Sequence, residues 1–335
     1  MIQRYQIFYG LLILSTFFSW KLVKEKYGWT AFLLLTWILI DAVLIFSWPG
    51  YTVDTLSLRL RLVSARSFVL VAVLVYFVSS LHFWNVALLA KFFEVMVVIE
   101  CGLYLYFGYG LVNAGSADMS FISMVYPMML FRRKITWLRL PILLLPLACL
   151  FFKVAGSTVF FSYAVGIGTY LLIRKKWFWF LLAVASLMAT GYYVGENWSG
   201  GFFYNSGRFE PWLLIMNWWY EWANMWLGTG TGTFQWLGPT IQNKDVDLLV
   251  FLHNEYLQIL FEQGLLGIGL MFSLIFICLK KAWKTPWLFS CCMSTLFVFS
   301  VQFPLRFLLP QIFVLLLVRL CFDYDSVKHL ENKYD

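Results

Sequence analysis

Charged residues are scarce in this chain. Only 13% of its 335 residues are Asp, Glu, Lys or Arg, while 61% are hydrophobic, and a typical soluble domain carries about 25% charged residues. A single core surrounded by water could not bury so many apolar side chains, because much of any small domain's surface stays exposed. The scarcity of charge therefore excludes an ordinary soluble domain and predicts an integral membrane protein with a lipid bilayer as its partner.

Paired cysteines and the motifs of soluble enzymes are also lacking. The six cysteines lie in or beside apolar runs and form no C-x-x-C pair, which argues against a disulfide framework or a metal site. The stretch G-T-G-T-G-T at 228–233 lacks the Gly-Lys-Ser/Thr of a P-loop, so we interpret it as a flexible turn. Asp245 and Asp247 form a D-x-D pair without a soluble α/β domain around it, and we expect solvated carboxylates there. The sequence predicts no metal and no cofactor.

Apolar runs dominate what is present. A membrane span needs about 20 residues, with a range of roughly 17 to 25. The candidate spans are 5–20, 27–48, 67–84, 88–108, 118–131, 135–152, 157–173, 177–194, 264–279, 285–303 and 307–322. The first has no basic leader and no small-residue cleavage site, so we expect an uncleaved span. The predicted fold is an all-α polytopic transmembrane bundle of about 10–12 spans.

Lysine and arginine predict the orientation of this bundle. Four clusters lie between apolar runs: Lys21/Lys24/Lys26, Arg132/Arg133/Lys134, Arg174/Lys175/Lys176 and Lys280/Lys281/Lys284. The predicted spans place all four on one side, which is cytoplasmic by the positive-inside rule. The net charge of +8 is thus an orientation signal and predicts no nucleic-acid partner. Arg59, Arg61 and Arg66 fall on the other side, in an interfacial segment or near the functional site.

The same count divides the chain into four parts. N-terminal helices occupy 1–194, a large periplasmic loop with short helices occupies 195–263, C-terminal helices occupy 264–322, and 323–335 is a cytoplasmic tail. The loop is rich in tryptophan, whose indoles stack on sugars or anchor amphipathic helices at the headgroups. For 209–227 we favour the anchoring role, and the two roles are compatible.

His253 is the first candidate for chemistry. Asn254 is a good helix N-cap and Gly264 a natural terminator, so we expect His253 just before a helix. The positive end of the helix dipole disfavours the imidazolium form, and a neutral imidazole can serve as a general base. The alternative is an interfacial histidine that only hydrogen-bonds the loop. Glu255 is nearer to His253 and could pair with it, or it is a solvated carboxylate of the first turn. Glu262 is expected to cap or orient the turn before the next span.

Other charged residues have two interpretations each. Arg208 offers a fork of donors that matches phosphate oxygens, or it anchors the loop to lipid headgroups. Asp41, Glu94 and Glu100 lie inside apolar runs, where carboxylates are expensive and often functional. Lys91 lies one helical turn before Glu94 and could pair with it. A structural role is the other interpretation of each of the three carboxylates.

Three segments together resemble a known family. They are N-S-G-R-F-E-P-W (205–212), G-T-G-T-G-T-F (228–234) and H-N-E-Y-L-Q-I-L-F-E-Q-G-L-L-G (253–267). They resemble the signature of the bacterial O-antigen ligase and O-antigen polymerase family, which has a Gly-Arg followed by a Trp, a Gly-x-Gly-x-Gly-x-Phe, and a His-Asn-x-Tyr/Phe-Leu followed by Glu-x-Gly-Leu-x-Gly. In that family all three lie in the large periplasmic loop and the start of the next span.

The resemblance implies a metal-independent glycosyltransferase of the bacterial inner membrane, with its active site facing the periplasm. Its donor would be a glycan on undecaprenyl pyrophosphate, and its acceptor another glycan or the lipid A core. Arg208 would hold the pyrophosphate, and His253 would act as base or position the acceptor. Trp212, Asn254, Tyr256 and Glu262 would bind substrate.

One feature departs from the family pattern. Family members often have a Ser-Arg pair at the outer end of an earlier span, where this chain has G-S-T-V at 156–159. Lys153 lies close by in sequence and could supply the charge beside Arg208. The leading hypothesis is an O-antigen polymerase, with a ligase sharing its signature. Hypotheses from other classes are a transporter for the lipid-linked glycan and an inactive membrane subunit.

The predicted topology can be tested by thiol labelling. Asn243→Cys in the large loop should react with a membrane-impermeant reagent in intact cells, because the loop faces the periplasm. Lys284→Cys, in a cytoplasmic cluster, is the matched control and should react only after the cells are broken. The reverse pattern would show that the orientation is inverted.

Overall fold

The structure is a computed structural model, and every regular element it describes is a helix. The described residues are 23–25, 27–33, 36–37, 86–107, 116–131, 135–137, 139–152, 157–198, 209–222, 225–230, 234, 252–302, 305 and 308–331. The all-α fold class predicted from the sequence is thus confirmed for this part of the chain.

Apart from short helical pieces before residue 38, the described helices are numbered here in chain order. They are α1 Val86–Phe107, α2 Ser116–Phe131, α3 Leu140–Phe152, α4 Ser157–Ile173, α5 Trp177–Trp198, α6 Phe209–Trp222, α7 Glu255–Ala282, α8 Pro286–Val301 and α9 Leu308–Glu331. Each apolar run predicted after residue 85 corresponds to one of these helices. The predicted run 5–20 lies outside the described residues, as do 67–84 and most of 27–48.

Three helices differ from a predicted bound by five residues or more. Helix α3 begins at Leu140, five residues later than predicted, and Pro141 stands in its first turn, where a missing N–H is tolerated. Helix α7 begins nine residues earlier than predicted, before Gly264. Helix α9 continues to Glu331, past the predicted end at residue 322. The hydrophobicity of the sequence indicates only the apolar part of a helix. The backbone hydrogen bonds of the helix continue beyond that part for as long as the residues allow helical conformation.

The chain forms two compact units. The first comprises Met1–Leu81 and Asn205–Ile277, and the second comprises His82–Tyr204 and Cys278–Asp335. The first therefore contains α6 and most of α7. The second contains α1 to α5, α8 and α9.

Small hydroxyl side chains join α2, α4 and α8 in the second unit. The Oγ of Ser162 lies 2.8 Å from that of Ser123 and 3.1 Å from that of Ser294. Ser294 also donates to the backbone carbonyl of Ser123 at 2.9 Å. All three serines are buried. Close packing through small residues with hydroxyl hydrogen bonds is how helices associate in lipid, where burial of apolar surface gives no drive.

Contacts along these helices fix their relative directions. Ser123 and Tyr126 of α2 meet Ser162 and Tyr163 of α4 in the same order, so the two helices are parallel. Ser162 and Phe161 meet Ser294 and Phe297 of α8 in reverse order, so α8 is antiparallel to α4. The ends of α2 and α4 and the start of α8 therefore lie at one end of this unit.

Two described basic clusters share that end, as the sequence predicts. Arg174, Lys175 and Lys176 follow the end of α4, and the cluster at 280–284 precedes the start of α8. Lys281 Nζ lies 4.6 Å from the ring centroid of Phe322 in α9, which brings the second half of α9 to the same end.

A buried ion pair connects α1 to the start of α3. Arg139 Nη2 lies 2.5 Å from Glu94 Oε1 and donates to the backbone carbonyl of Met129 at 2.7 Å. Glu94 is thus paired with Arg139. Lys91, which the sequence offered as a possible partner, has an exposed side chain. Glu100 is fully buried as well. A guanidinium suits this buried position, because its several N–H groups can bond a carboxylate and a carbonyl at the same time.

The turn after α4 has an unusual residue at its centre. Lys176 N–H bonds the carbonyl of Leu171, and Lys175 N–H bonds that of Leu172, which is the Schellman pattern. Lys175 occupies the left-handed position with a φ of 54°. Glycine usually fills this position, because a side chain there costs about 1–2 kcal/mol. A lysine therefore occupies a backbone conformation that favours glycine.

Gly166 tests the close packing of α2, α4 and α8. A Cβ at Gly166 would lie 2.8 Å from Pro127 Cγ and 3.4 Å from Ser294 Cβ. Gly166→Ala should therefore destabilise the protein by about 1–3 kcal/mol, measured as its unfolding midpoint in detergent.

Gly102→Ala in α1 is the matched control, because a Cβ there meets nothing within 4 Å. It should be neutral, or stabilising by up to about 1 kcal/mol through helix propensity. Equal effects of the two substitutions would contradict the tight packing at Gly166.

Candidate functional site

His253 stands at the entrance to helix α7. The prediction that Asn254 caps this helix is confirmed, since its Oδ1 accepts a hydrogen bond from the N–H of Leu257 at 3.0 Å. His253 itself has a φ of 52° and is half-buried. Left-handed backbone is uncommon outside glycine, and such strain is concentrated at functional sites. The histidine is thus presented by a fixed and strained backbone.

Helix α7 is broken at Gly264, where φ is 65° and ψ is −165°. The rings of Tyr256 and Phe272, eight residues on either side, stack with centroids 5.6 Å apart. Residues sixteen apart in a straight helix are about 24 Å apart. The first arm (255–263) and the second arm (265–282) therefore fold back sharply towards each other.

A break in a helix leaves carbonyls on one side and N–H groups on the other without their usual partners. The segment 225–230 pairs with both sides. Its four backbone hydrogen bonds are Thr229 N–H to Phe261 O (3.0 Å), Gly230 N–H to Glu262 O (2.7 Å), Leu265 N–H to Met225 O (3.0 Å) and Leu266 N–H to Trp226 O (3.1 Å). The predicted flexible turn at 228–230 is thus one half of a paired structure.

Two glycines make this pairing possible. Gly228 has a φ of 75°, and a Cβ there would lie 2.5 Å from the backbone of Glu262. A Cβ at Gly264 would overlap the backbone of Trp226 and Gly228. The two backbones approach so closely that neither position accepts a side chain.

Glu262 stabilises the same region from its side chain. Its Oε1 accepts a hydrogen bond from Gln258 Nε2 at 3.1 Å and a long one from the N–H of Phe234 at 3.4 Å. Glu262 is 1% exposed. Glu255 lies on the same face of the first arm as Gln258 and Glu262, and it is fully buried as well. The interpretation of Glu255 as a solvated carboxylate is therefore wrong, because the start of α7 is covered by other parts of the protein.

Helix α6 reaches the His253 segment through Trp212. Its indole N–H donates to the carbonyl of Leu252 at 2.5 Å. The predicted helix within 209–227 is confirmed as Phe209–Trp222. A hydrophobic cluster packs α6 against the first arm, and its buried members are Ile215, Trp219, Phe234, Leu252 and Phe261. The residue before His253 is thus held by both a hydrogen bond and apolar packing.

The structure brings together part of the site predicted from the sequence. Trp212 bonds the residue before His253, and Asn254 caps the helix that follows it. Glu262 bonds Phe234 of the adjoining apolar cluster, and Tyr256 stacks on Phe272 in the same unit. Arg208 and Lys153 lie outside the described residues, so their expected approach stays a prediction.

Sequence reasoning missed the pairing of 225–230 with the helix break. The signal for it was present in the two glycine-containing motifs, G-T-G at 228–230 and E-Q-G at 262–264. Comparison with protein-family models and with curated proteins finds no match to this chain.

Substitution of Gly264 tests whether the pairing holds the site together. Gly264→Ala should destabilise the protein by at least about 2 kcal/mol, because it adds left-handed strain to steric overlap. The loss should appear as a lower unfolding midpoint and as faster proteolysis near residue 230.

Gly269→Ala in the second arm is the matched control, since a Cβ there meets nothing within 4 Å. It should leave both measurements unchanged or slightly improved. A Gly264→Ala protein as stable as Gly269→Ala would show that the pairing is dispensable.

Proposed function

We propose that this chain is a polytopic protein of the bacterial inner membrane that transfers glycans from undecaprenyl pyrophosphate, as an O-antigen polymerase does. The observation that carries the proposal is that segments of the three family-like motifs contact one another: α6 and Phe234 pack on the first arm of α7, which segment 225–230 pairs with and which begins just after the strained His253. Its active site would face the periplasm. An O-antigen ligase, which moves glycan to the lipid A core, is the alternative with the same chemistry.

Membrane placement is supported by helix α7 first. Among the described residues, α7 is the one helix with the length and composition of a membrane span, with a mean hydropathy of 1.9 in its most apolar window. Because α7 is broken at Gly264, the part that could cross a bilayer is the second arm (265–282), whose length lies within the range of roughly 17 to 25 residues that a span needs. Shorter apolar helices lie at Ser120–Leu130, Phe161–Ile173, Trp177–Ser186 and Pro286–Val301. Such lengths and compositions favour a bundle whose outer surface meets lipid.

The surface of α1 supports the same placement. Its large exposed side chains recur at helical spacing along one face: Leu88, Phe92, Val95, Ile99 and Tyr106. Its 22 residues span about 33 Å, close to the roughly 30 Å hydrocarbon core. Its two carboxylates, Glu94 and Glu100, are buried instead. Apolar residues outside and charged residues inside are what lipid as a solvent requires.

Catalysis is supported by the way His253 is held. The chemistry would begin with a hydroxyl of the acceptor sugar attacking the anomeric carbon of the donor glycan. The bond between that carbon and the pyrophosphate oxygen breaks, and the lipid pyrophosphate leaves with its electron pair. The hydroxyl proton would pass to the His253 imidazole, which is half-buried beside a helix N-terminus and therefore favoured in its neutral form. Arg208 would hold the leaving pyrophosphate, and Trp212 would fix the His253 loop.

A transporter of lipid-linked glycans is the candidate from another class. Broken helices are typical of transporters, where the free ends of half-helices bind substrates near mid-membrane. The break at Gly264 resembles this feature. Here, however, the freed groups at the break bond to segment 225–230, so they are occupied without substrate. This favours a structural role for the break and a chemical role for His253.

Substitution of His253 separates these functions. Asparagine tolerates left-handed backbone and forms hydrogen bonds, but it takes up no proton at neutral pH. His253→Asn should therefore reach the membrane at wild-type levels with normal stability. Its transfer rate should fall about 100- to 10,000-fold, as for loss of a positioned base. The measurement is lipopolysaccharide gel analysis of a deletion strain that carries each variant.

His329→Asn, near the end of α9, is the matched control and should restore the full glycan ladder. In the deletion strain, core with a single repeat unit indicates a polymerase, and core without any O-antigen indicates a ligase. A full ladder from His253→Asn would remove the general-base role. A full ladder from His253→Ala as well would favour the transporter or the inactive subunit.

A further inference from the structure

Tryptophan accompanies every basic cluster in this chain. Each of the four clusters has a tryptophan within three residues of one of its cations: Trp29, Trp137, Trp177 and Trp283. All four indoles are well exposed, from 58% for Trp177 to 84% for Trp137. The 17 tryptophans of the chain could stand at many other positions. Their presence beside all four clusters therefore calls for a physical reason.

Two of these tryptophan-bearing basic segments lie at one end of the second unit. They are 174–179 between α4 and α5, and 280–284 between α7 and α8. The helix directions established by the contacts of Ser162 with Ser294 and of Phe161 with Phe297 bring the end of α4 and the start of α8 together. These two segments, named here the basic collar, contain no acidic residue.

The described cations of the collar face solvent. Arg174, Lys175 and Lys176 are exposed, and so are the three lysines of 280–284. Aromatic rings lie close to some of them, with Arg174 Cζ 5.8 Å from the Tyr170 ring centroid and Lys281 Nζ 4.6 Å from that of Phe322. Contacts of this kind limit the side chains' freedom, so less entropy is lost when a ligand binds.

The backbone at Lys175 supplies an independent observation. Lys175 has a φ of 54° at the position of the Schellman turn where glycine is usual. A cation thus occupies a position at which the local backbone conformation favours glycine. This is expected where the charge itself has a use.

We propose that the basic collar binds the phosphate headgroups of anionic phospholipids. Cations next to a membrane surface attract anionic lipids, and exposed indoles settle at the headgroup level. The collar presents both, at the end of the bundle that the sequence predicts to be cytoplasmic. The inference rests on the membrane placement in the proposed function, but it does not depend on glycosyl transfer.

The first test compares lipids that copurify with the protein. Purified protein is equilibrated in detergent with equal amounts of phosphatidylglycerol and phosphatidylcholine, and the retained lipids are quantified. Wild type should retain an excess of phosphatidylglycerol that declines with added salt. Lys280/Lys281/Lys284→Gln should lower the affinity for phosphatidylglycerol roughly 100-fold, at about fivefold per cation. The charge-preserving variant Lys280/Lys281/Lys284→Arg is the matched control and should keep the wild-type ratio.

Lys175→Gly gives a test that misfolding cannot imitate. Glycine suits the left-handed position, so the variant should unfold at the same or a higher temperature in neutral detergent. It should nevertheless bind phosphatidylglycerol about fivefold more weakly, because one cation is lost.

Three outcomes would overturn the assignment. They are a wild-type lipid ratio in the glutamine variant, loss of the preference in the arginine variant, and equally effective competition by inorganic phosphate, which would indicate a general anion site. Recovery of the protein in the soluble fraction without detergent would refute the membrane placement instead.

Discussion

The hydrogen bonds between segment 225–230 and the broken helix α7 are the interaction on which the candidate site depends. An apolar helix that bends sharply must expose carbonyls and N–H groups, and each such group left without a partner in a nonpolar medium costs several kcal/mol. Here the segment donates to Phe261 and Glu262 and accepts from Leu265 and Leu266. The Trp37 indole adds a long hydrogen bond of 3.4 Å to the carbonyl of Gln263. The bend is thus stable because a second backbone completes it.

This pairing gives the motif residues two different roles. Gly228 and Gly264 let the backbones approach, and Glu262 bonds to Gln258 and Phe234. These residues shape the region whether or not a substrate binds. His253 takes no part in the four backbone bonds, yet its own backbone is strained and fixed by Asn254 and by the Trp212 bond to Leu252. The scaffold and the proposed chemistry would therefore be carried by different residues of the same motif.

The helices of the second unit also depend on close contacts and polar bonds, but for a different physical reason. Its helices have little to gain from burying apolar surface if their surroundings are apolar too, so association relies on close contact and polar bonds. Ser123, Ser162 and Ser294 provide such bonds across three helices, and Gly166 allows the contact. The Arg139–Glu94 pair does the same between α1 and α3. The second unit thus combines a mostly apolar interior, which contains these polar bonds, with many large apolar side chains on its surface.

The sequence by itself determined the features that depend on neighbours along the chain. Apolar runs of sufficient length predicted the helices after residue 85, because a helix satisfies its own backbone wherever the side chains suit the solvent. Asn254 was identified as a cap, and Gly264 as a point where the helix ends, because both effects act within one helical turn. The basic clusters at 174–176 and 280–284 were placed at one end because the number of predicted spans between them is even, so both fall on the same side.

Only the tertiary structure decided which distant residues meet. Glu94 pairs with Arg139, 45 residues away, although Lys91 is nearer in sequence, because packing and burial select a partner that reaches two acceptors. Glu255 is buried although its sequence context predicts solvent, since exposure depends on what covers a helix end. The meeting of Gly228 and Gly264 likewise follows from how far α7 bends, and that depends on another backbone being present to complete the broken hydrogen bonds.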